Sequence, residues 1–466
     1  MDVRDYVEHS AREFFDDLKQ WLAIPSISAD PGHHCDVRSS AHWLAGHLRA
    51  AGFPEVEIWD TGTPESPGLP TVYACWPAAD PAAPTVCVYG HHDVQPVDPV
   101  SEWLSPPFEP IERNGQIFGR GASDDKGQVL LHVLGVRACL AAGASAPPVT
   151  VKLLVEGEEE SGSPHFAELL RQQAERLAAD VIVVSDTTMW AADVPSMCTG
   201  MRGLAVAEIK LSGPATDVHS GSFGGGIPNP VAAMAALLAG LHDEQGRVTL
   251  PGFYDRIVPL SDRERELFAR LPFDEKAWLA DAGDSQAAAG EAGYSTLERV
   301  WARPTAEING MWGGYTGPGP KTIVPREACA KVSFRLVADQ RPGEVLSALH
   351  KYVAAHTPAG IAATVTPEGP GVRPAFSPID SPAVEAGRRA MERAFGREVL
   401  FTREGGSGPE ADLADILGAP LVFIAAGLNE DRVHAPNEKV EKALLLKGAE
   451  AAAYLWQDLA QGGLAR

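Results

Sequence analysis

The sequence predicts an α/β protein, a mostly parallel sheet flanked by helices, with an inserted α+β domain. Three observations carry this expectation. Four apolar runs of strand length end abruptly in polar residues. Residues 86–90 lead into His91-His92-Asp93, 151–155 into Glu156-Gly157-Glu158-Glu159-Glu160, and 181–184 into Ser185-Asp186. Residues 421–425 precede His434 by a short loop. Between about 199 and 374 the texture changes to alternating strands with antiparallel character, and helix-and-strand texture then returns. At 466 residues the chain is too long for one ordinary core. The expected division is 1–198, 199–374 and 375–466, the first and last parts forming one domain around the insertion.

Taken in order, Phe14, Leu18 and Trp21 with Phe15 and Leu22 recur at helical spacing, and Pro25 closes that helix. His9 reads as a surface residue. His33, His34 and Cys35 resemble a metal trio, but no strand fixes them, and they read as residues of a Pro-Gly loop. A helix over 40–51 ends at Gly52, a natural residue for a helix C-terminus. The Pro- and Ala-rich stretch 64–84 reads as loop and edge structure. A turn at 119–127 opens a helix over 128–140.

In the insertion, 203–212 reads as a half-exposed strand. The stretch 331–336 alternates, placing Arg335 on the face opposite Val332, Phe334 and Leu336. Helices are expected at 230–242, 262–271 and 342–356. Beyond the insertion come a helix at 382–395, the strand at 421–425 and a final helix over 439–459.

The ends of the four strands direct the search for function. In an open α/β sheet, ligands collect outside the carboxyl ends of the parallel strands. One run of glutamates is accounted for as a solvated loop. Four strands that each deliver His, Asp or Glu to one edge point instead to a metal site. Asp124-Asp125 permits two readings that are compatible: a helix start favourable to carboxylates, and a pair of hard oxygen ligands. The run Ser220-Gly221-Ser222-Phe223-Gly224-Gly225-Gly226 lacks a Gly-Lys-Ser/Thr or a GxGxxG behind a strand, so nucleotide binding is not expected. The backbone of Glu404-Gly405-Gly406-Ser407-Gly408, expected in the first domain, suits a small anion-binding concavity.

Composition narrows the classes. A net charge of −23 without a basic stripe excludes nucleic acid as a partner. Six scattered cysteines with no CxxC pair give no zinc ribbon or disulfide framework. Neither a signal peptide nor a membrane-spanning stretch is evident, so a cytoplasmic protein with no membrane partner is expected.

The assembled motifs are Tyr89-Gly90-His91-His92-Asp93-Val94-Gln95-Pro96, the run 119–127, Glu156 to Ser163, Val184-Ser185-Asp186, Asp217-Val218-His219-Ser220-Gly221 and His434-Ala435-Pro436-Asn437-Glu438-Lys439. In type and order they resemble the M20 family of co-catalytic metallopeptidases, and within it the carnosinase-like dipeptidase branch. The resemblance spans most of the chain. It implies a di-metal aminopeptidase-like catalytic domain carrying a lid and dimerisation domain.

It further implies two divalent ions (Zn²⁺ first, with Mn²⁺ or Co²⁺ as alternatives) bridged by Asp124. His91 and Asp186 would complete one site, Glu160 and His434 the other. Asp93 would orient His91, Glu159 would act as general base, and Asp124–Asp125 would be a cis peptide. His219 resembles the donor to the developing oxyanion, which in many members reaches in from the neighbouring subunit of a homodimer. Arg335 resembles the clamp on a substrate carboxylate, helped by Gly406 and Ser407, with Asn309 and Thr322 as further substrate contacts. No metal role is assigned to His92 or Glu158. The implied reaction is amide hydrolysis of a small peptide with a free carboxylate, a dipeptide first. The alternatives are N-acyl-amino-acid deacylation and a catalytically silent scaffold; the completeness of the constellation weighs against the last.

Overall fold

The computed structural model of the protein describes residues 1–141 and 143–464. The chain forms two compact units, one of residues 1–199, 376–402 and 408–466, the other of residues 200–375 and 403–407. The segment 403–407 thus belongs to the second unit, whereas its place in the sequence suggests the first. Its residues Glu404 and Ser407 hydrogen-bond to Arg202 and Arg335 of the second unit.

The first unit is built on a six-stranded sheet. Its order is Glu55–Trp59, Thr71–Trp76, Thr150–Glu156, Thr85–His91, Val181–Val184 and Leu421–Phe423. The last four run parallel and the first two are antiparallel additions. Central positions such as Val86, Val88, Val151, Leu154 and Val183 are buried, as expected of strands covered on both faces. The helix Lys126–Leu140 is buried at thirteen of its fifteen residues, which makes it a central helix rather than a surface one. The helices Val3–Leu22 and Lys442–Ala460 pack against it. Within the described residues, no helix is long and apolar enough to cross a membrane.

The second unit has a four-stranded antiparallel sheet in the order Thr305–Gly313, Glu327–Leu336, Gly203–Ser212 and Ala362–Pro367. The strand Gly203–Ser212 alternates strictly, and Glu327–Leu336 alternates from Ala330 onward. Ala205, Ile209, Leu211, Val332, Phe334 and Leu336 face a core closed by the helices Pro230–Ala239 and Pro342–His356. Both helices start with proline at the first turn, where its missing N–H has no partner to lose.

Three expectations are corrected. Residues 64–84 were expected as loop and edge, but Thr71–Trp76 is an interior strand between two others. Val72, Tyr73 and Ala74 pair with the buried strand Thr150–Glu156, and that apolar run outweighs the flanking prolines. His33 closes a 3-10 turn begun by Pro31, and His34 and Cys35 open the helix His34–Ala51. The Asp30 carboxylate, accepting from Gly32 N, nucleates that turn. The last helix starts at Lys442, because Lys439–Glu441 is drawn into a strand against Gln116–Phe118.

The alternation in the second unit yields a check. Phe334→Ala should destabilise that unit by about 3–5 kcal/mol through the cavity left in a dry core. Ser333→Ala, on the opposite face, should change it by under about 0.5 kcal/mol. Urea unfolding followed by tryptophan fluorescence distinguishes the two; equal effects would mean that the alternation does not set the core.

Candidate metal centre

Three parallel strands set the geometry. Thr85–His91 lies between Thr150–Glu156 and Val181–Val184, with His91 beside Glu156 and Tyr89 beside Val184. Residues just beyond these strands therefore emerge together at one edge: Asp93, the Glu158–Glu160 turn and Asp186. Asp124 comes from the loop before the Lys126–Leu140 helix, and the Asp124–Asp125 peptide is cis. His434 comes from the loop after the 3-10 turn Asn429–Asp431. Arg432, His434 and Asn437 in that loop all have positive φ, uncommon for residues with side chains.

These residues form two groups of donor atoms, each within 4.8 Å: His91, Glu159 and Asp186, and Asp124, Glu160 and His434. Asp124 belongs to both in effect. Its Oδ1 lies 2.9 Å from His91 Nε2 and its Oδ2 lies 2.9 Å from His434 Nε2. His91 Nε2 is also 3.5 Å from Asp186 Oδ2, and His434 Nε2 is 3.3 Å from Glu160 Oε2.

Neighbouring groups fix these side chains. His91 Nδ1 donates to the Asp93 carbonyl at 3.0 Å, so in the neutral ring Nε2 is the nitrogen with the lone pair. The Asp93 carboxylate is 3.5 Å from the same ring nitrogen. Its stronger contacts are the backbone N–H groups of Glu159 and Glu160, at 3.3 and 3.0 Å. Asp93 thus ties the histidine strand to the glutamate turn. Asp125 Oδ2 accepts from His91 N at 3.2 Å. A Cβ on Gly90 would come within 2.5 Å of that oxygen, so only glycine allows the approach.

Several supporting residues were not singled out by sequence reasoning. Gln95 Nε2 donates to Glu160 Oε2 at 2.7 Å. The buried Glu438 carboxylate accepts from Gly121 N, Ser123 N and Asp124 N and pairs with Arg120 at 2.8 Å. Buried Asp431 takes Ser123 Oγ at 2.9 Å and Lys439 Nζ at 2.7 Å. The signal was present in the His434–Lys439 motif, where Glu438 follows the histidine, but nothing in the sequence says which loop it holds.

The electrostatics test whether cations fit. Four carboxylates (Asp124, Glu159, Glu160, Asp186) face two imidazoles. Burial pushes Glu159 well above the carboxylate range, and burial with the nearby Asp124 raises Glu160 to about 7. Burial opposes protonation of His91, yet Asp124, Asp186 and Asp93 raise it well above the usual value. Hydrogen bonds that His434 donates to the Asp124 and Glu160 carboxylates raise its pKa to about 10. Burial works against ionised Asp124, but His434 and His91 hold it below the usual range. So concentrated a set of carboxylates calls for positive charge, which divalent cations would supply while reversing these shifts. The mixed imidazole and carboxylate donors suit borderline ions such as Zn²⁺, Mn²⁺ or Co²⁺.

Other groups lie outside the cluster. His92 is buried with Nε2 bonded to the Pro70 carbonyl at 2.8 Å, and burial lowers its pKa to about 4. Glu158 pairs with His165 at 3.0 Å. Lys126 turns to the Trp21 and Ile24 carbonyls, at 3.1 and 2.9 Å. His33 and His34 bond to Asp36 and to the Ser28 carbonyl.

In the second unit, Arg335 Nη1 donates to Ser407 Oγ at 3.2 Å, with Gly406 next in the chain. His219 pairs with Ile323 across a two-residue strand, beside Thr322, whose carbonyl accepts from Ser220 N. Its Nδ1 accepts from Gly221 N at 2.9 Å, leaving Nε2 to carry the proton. Asn309 sits exposed at an irregularity of the edge strand Thr305–Gly313.

Comparison with known proteins bears on this arrangement. The profile of peptidase family M20/M25/M40 matches residues 87–458. The chain is 30% identical over 475 residues to the human β-Ala-His dipeptidase, covering 98% of this chain and 92% of the relative. It is 29% identical over 462 residues to the Cys-Gly metallodipeptidase of Saccharomyces cerevisiae, covering 95% of each. Among solved structures, the M20 family metallo-carboxypeptidase of Sulfolobus solfataricus matches with a TM-score of 0.79 and 30% identity, over 96% of this chain and 99% of that one.

The buried Arg120–Glu438 pair gives a check on this arrangement. Glu438→Ala leaves the guanidinium and three N–H groups without their acceptor and should cost about 3–5 kcal/mol. The double variant Arg120→Met/Glu438→Leu should recover part of that loss. Denaturant unfolding of the metal-free protein checks this, and a near-neutral Glu438→Ala would show that the pair holds nothing in place.

Proposed function

The chain belongs to peptidase family M20/M25/M40 and is a metallopeptidase, and we propose that it hydrolyses dipeptides that carry a free C-terminal carboxylate. The observation that carries this reading is Asp124, whose two oxygens each lie 2.9 Å from a different histidine. A carboxylate shared between two ligand sets suits a pair of neighbouring cations. Asp124, His91 and Asp186 would hold one ion, and Asp124, His434 and Glu160 the other. When bound, the ions would polarise the scissile carbonyl and acidify a water, with Zn²⁺ the first candidate and Mn²⁺ or Co²⁺ as alternatives.

The chain's own residues supply the rest. The Glu159 carboxylate takes the proton of the attacking water and returns it to the leaving nitrogen. Asp93, through the Glu159 and Glu160 N–H groups, holds that turn in place. His219 donates from Nε2 to the oxyanion as it develops. Arg335 clamps the substrate carboxylate with its planar fork, beside Gly406 and Ser407. Asn309 and Thr322, both exposed in the second unit, are proposed as further substrate contacts. Relatives named for β-Ala-His and Cys-Gly support a dipeptide substrate.

The test is a mass-spectrometric hydrolysis screen of Zn²⁺- and Mn²⁺-loaded protein against dipeptides, tripeptides and N-acetyl and N-succinyl amino acids, with a chelated control. Dipeptides should disappear, and only in the metal-loaded samples. Cleavage of acylated amino acids alone would replace the dipeptidase reading with deacylation. In the same assay Glu159→Ala should keep both metals and lose turnover by about two to four orders of magnitude, whereas Asp124→Ala should lose metal. Equal metal loss in both variants would overturn the division into base and bridge.

We also propose a homodimer formed through the second unit. The edge strand Thr305–Gly313 exposes Ile308, Met311 and Trp312, each more than two-fifths accessible. An apolar edge strand with unpaired backbone groups is a template for pairing with another chain. Light scattering should give a dimer for the parent and a shift to monomer for Ile308→Lys/Trp312→Lys. A fully active monomeric parent would overturn both the dimer and any action of His219 across subunits. None of the six cysteines is in a disulfide, which supports the proposed cytoplasmic location.

A further inference from the structure

The second unit contains a half-buried arginine, Arg202, that the proposed chemistry leaves unused. Arg202 directly precedes the strand Gly203–Ser212, in which Leu204 lies opposite Arg335. Arg202 lies one residue outside that strand, close enough for the charge of Arg335 to act on it. Ser407 joins the two: its Oγ accepts from Arg335 Nη1 at 3.2 Å and donates to the Arg202 carbonyl at 2.6 Å. Arg202 N donates to the Glu404 carbonyl at 3.2 Å. A Cβ on Gly405 would lie 2.9 Å from Arg202 Nη2, so the guanidinium rests directly beneath the glycine loop.

The position is costly without a counter-charge. Arg202 Nε is buried and has no hydrogen-bond partner. Burial, and then the charge of Arg335, bring the Arg202 pKa down to about 10, and the opposing influence of Glu307 ranks behind both. Glu307 itself is exposed. Among the described residues no carboxylate forms an ion pair with Arg202 or Arg335. One loop thus carries both cations, the Arg335 guanidinium on Ser407 and the Arg202 guanidinium against Gly405 with an orphaned buried N–H, a site that an anion would complete.

We propose that Arg202 is a second cationic determinant of substrate selection, which acts with Arg335 on the terminal carboxylate and sets the preference for free acids over amides. The proposal rests on the reading of Arg335 as the carboxylate clamp. It adds a residue to that reading and a physical reason for the glycine at 405: a side chain there would displace the guanidinium.

The test uses the full-length, metal-loaded parent, Arg202→Met, Arg202→Lys and Arg335→Met, on the dipeptide cleaved fastest in the mixed screen. It reads kcat and KM separately, together with protection from thermal unfolding by free glycine and by glycinamide. Arg202→Met should raise KM about tenfold or more with kcat within about threefold, as expected for lost binding shared by ground and transition states. It should lose protection by glycine but not change the response to glycinamide. Its unfolding temperature without ligand should not fall below the parent's, because a like-charge contact has been removed. Arg202→Lys, which keeps the charge, should recover much of the KM. If Arg202→Met leaves KM and the glycine–glycinamide difference intact while Arg335→Met abolishes that difference, the assignment of Arg202 fails and the clamp stands. If Arg335→Met also leaves the difference intact, the carboxylate-clamp reading fails as well. A parallel loss of kcat and unfolding temperature in Arg202→Met would make the residue structural and overturn the proposal.

Discussion

The buried carboxylate of Glu438 is the constraint on which the first unit's chemistry depends. It gathers the N–H groups of Gly121, Ser123 and Asp124 and neutralises Arg120. A loop of glycines and small polar residues has little intrinsic preference for one path. Four donors converging on one charged acceptor impose that path and place Asp124 between two histidines. The same segment of chain carries His434, four residues before Glu438, so one short stretch delivers a candidate ligand and the acceptor that positions the bridging residue. Asp431 reinforces the arrangement through Ser123 and Lys439.

A second dependence runs through Asp93. Its carbonyl orients the His91 ring, and its carboxylate caps the Glu159–Glu160 turn. Two strands that are neighbours in the sheet are thereby linked beyond their ends, where no ladder hydrogen bonds remain. Glu159 and Glu160 are adjacent yet join different groups of donor atoms. That divergence of two consecutive side chains suits one residue to hold a metal while its neighbour handles a proton. Gln95, bonded to the carboxylate of Glu160 but not to that of Glu159, adds to the difference between them.

The second unit follows a different logic. Alternation in its two central strands places an apolar core on one face and leaves Arg335 on the other. Charges there are oriented by the loop 403–407, which enters the unit from distant sequence. The buried Arg202 Nε without a partner is a cost that a bound anion would offset.

Much of the fold was legible because periodicity speaks directly. The helices Pro342–His356 and Pro382–Phe395 and the strand Gly203–Ser212 have the limits that apolar spacing, proline and glycine suggest. The strand Thr71–Trp76 was missed because its flanking prolines and alanines resemble loop, and only its pairing partner explains its burial. Lys439–Glu441 was missed for the same reason, since three residues carry no period of their own. The sequence by itself determined the α/β class, the strand ends from which His91, Glu159, Glu160 and Asp186 emerge, and the chemical types available there. Only the tertiary structure decided that Asp124 faces two histidines at once, that Asp93 serves two partners, and that Glu438 holds the loop. Those facts depend on contacts between residues far apart in the chain, and such contacts leave no local pattern to read.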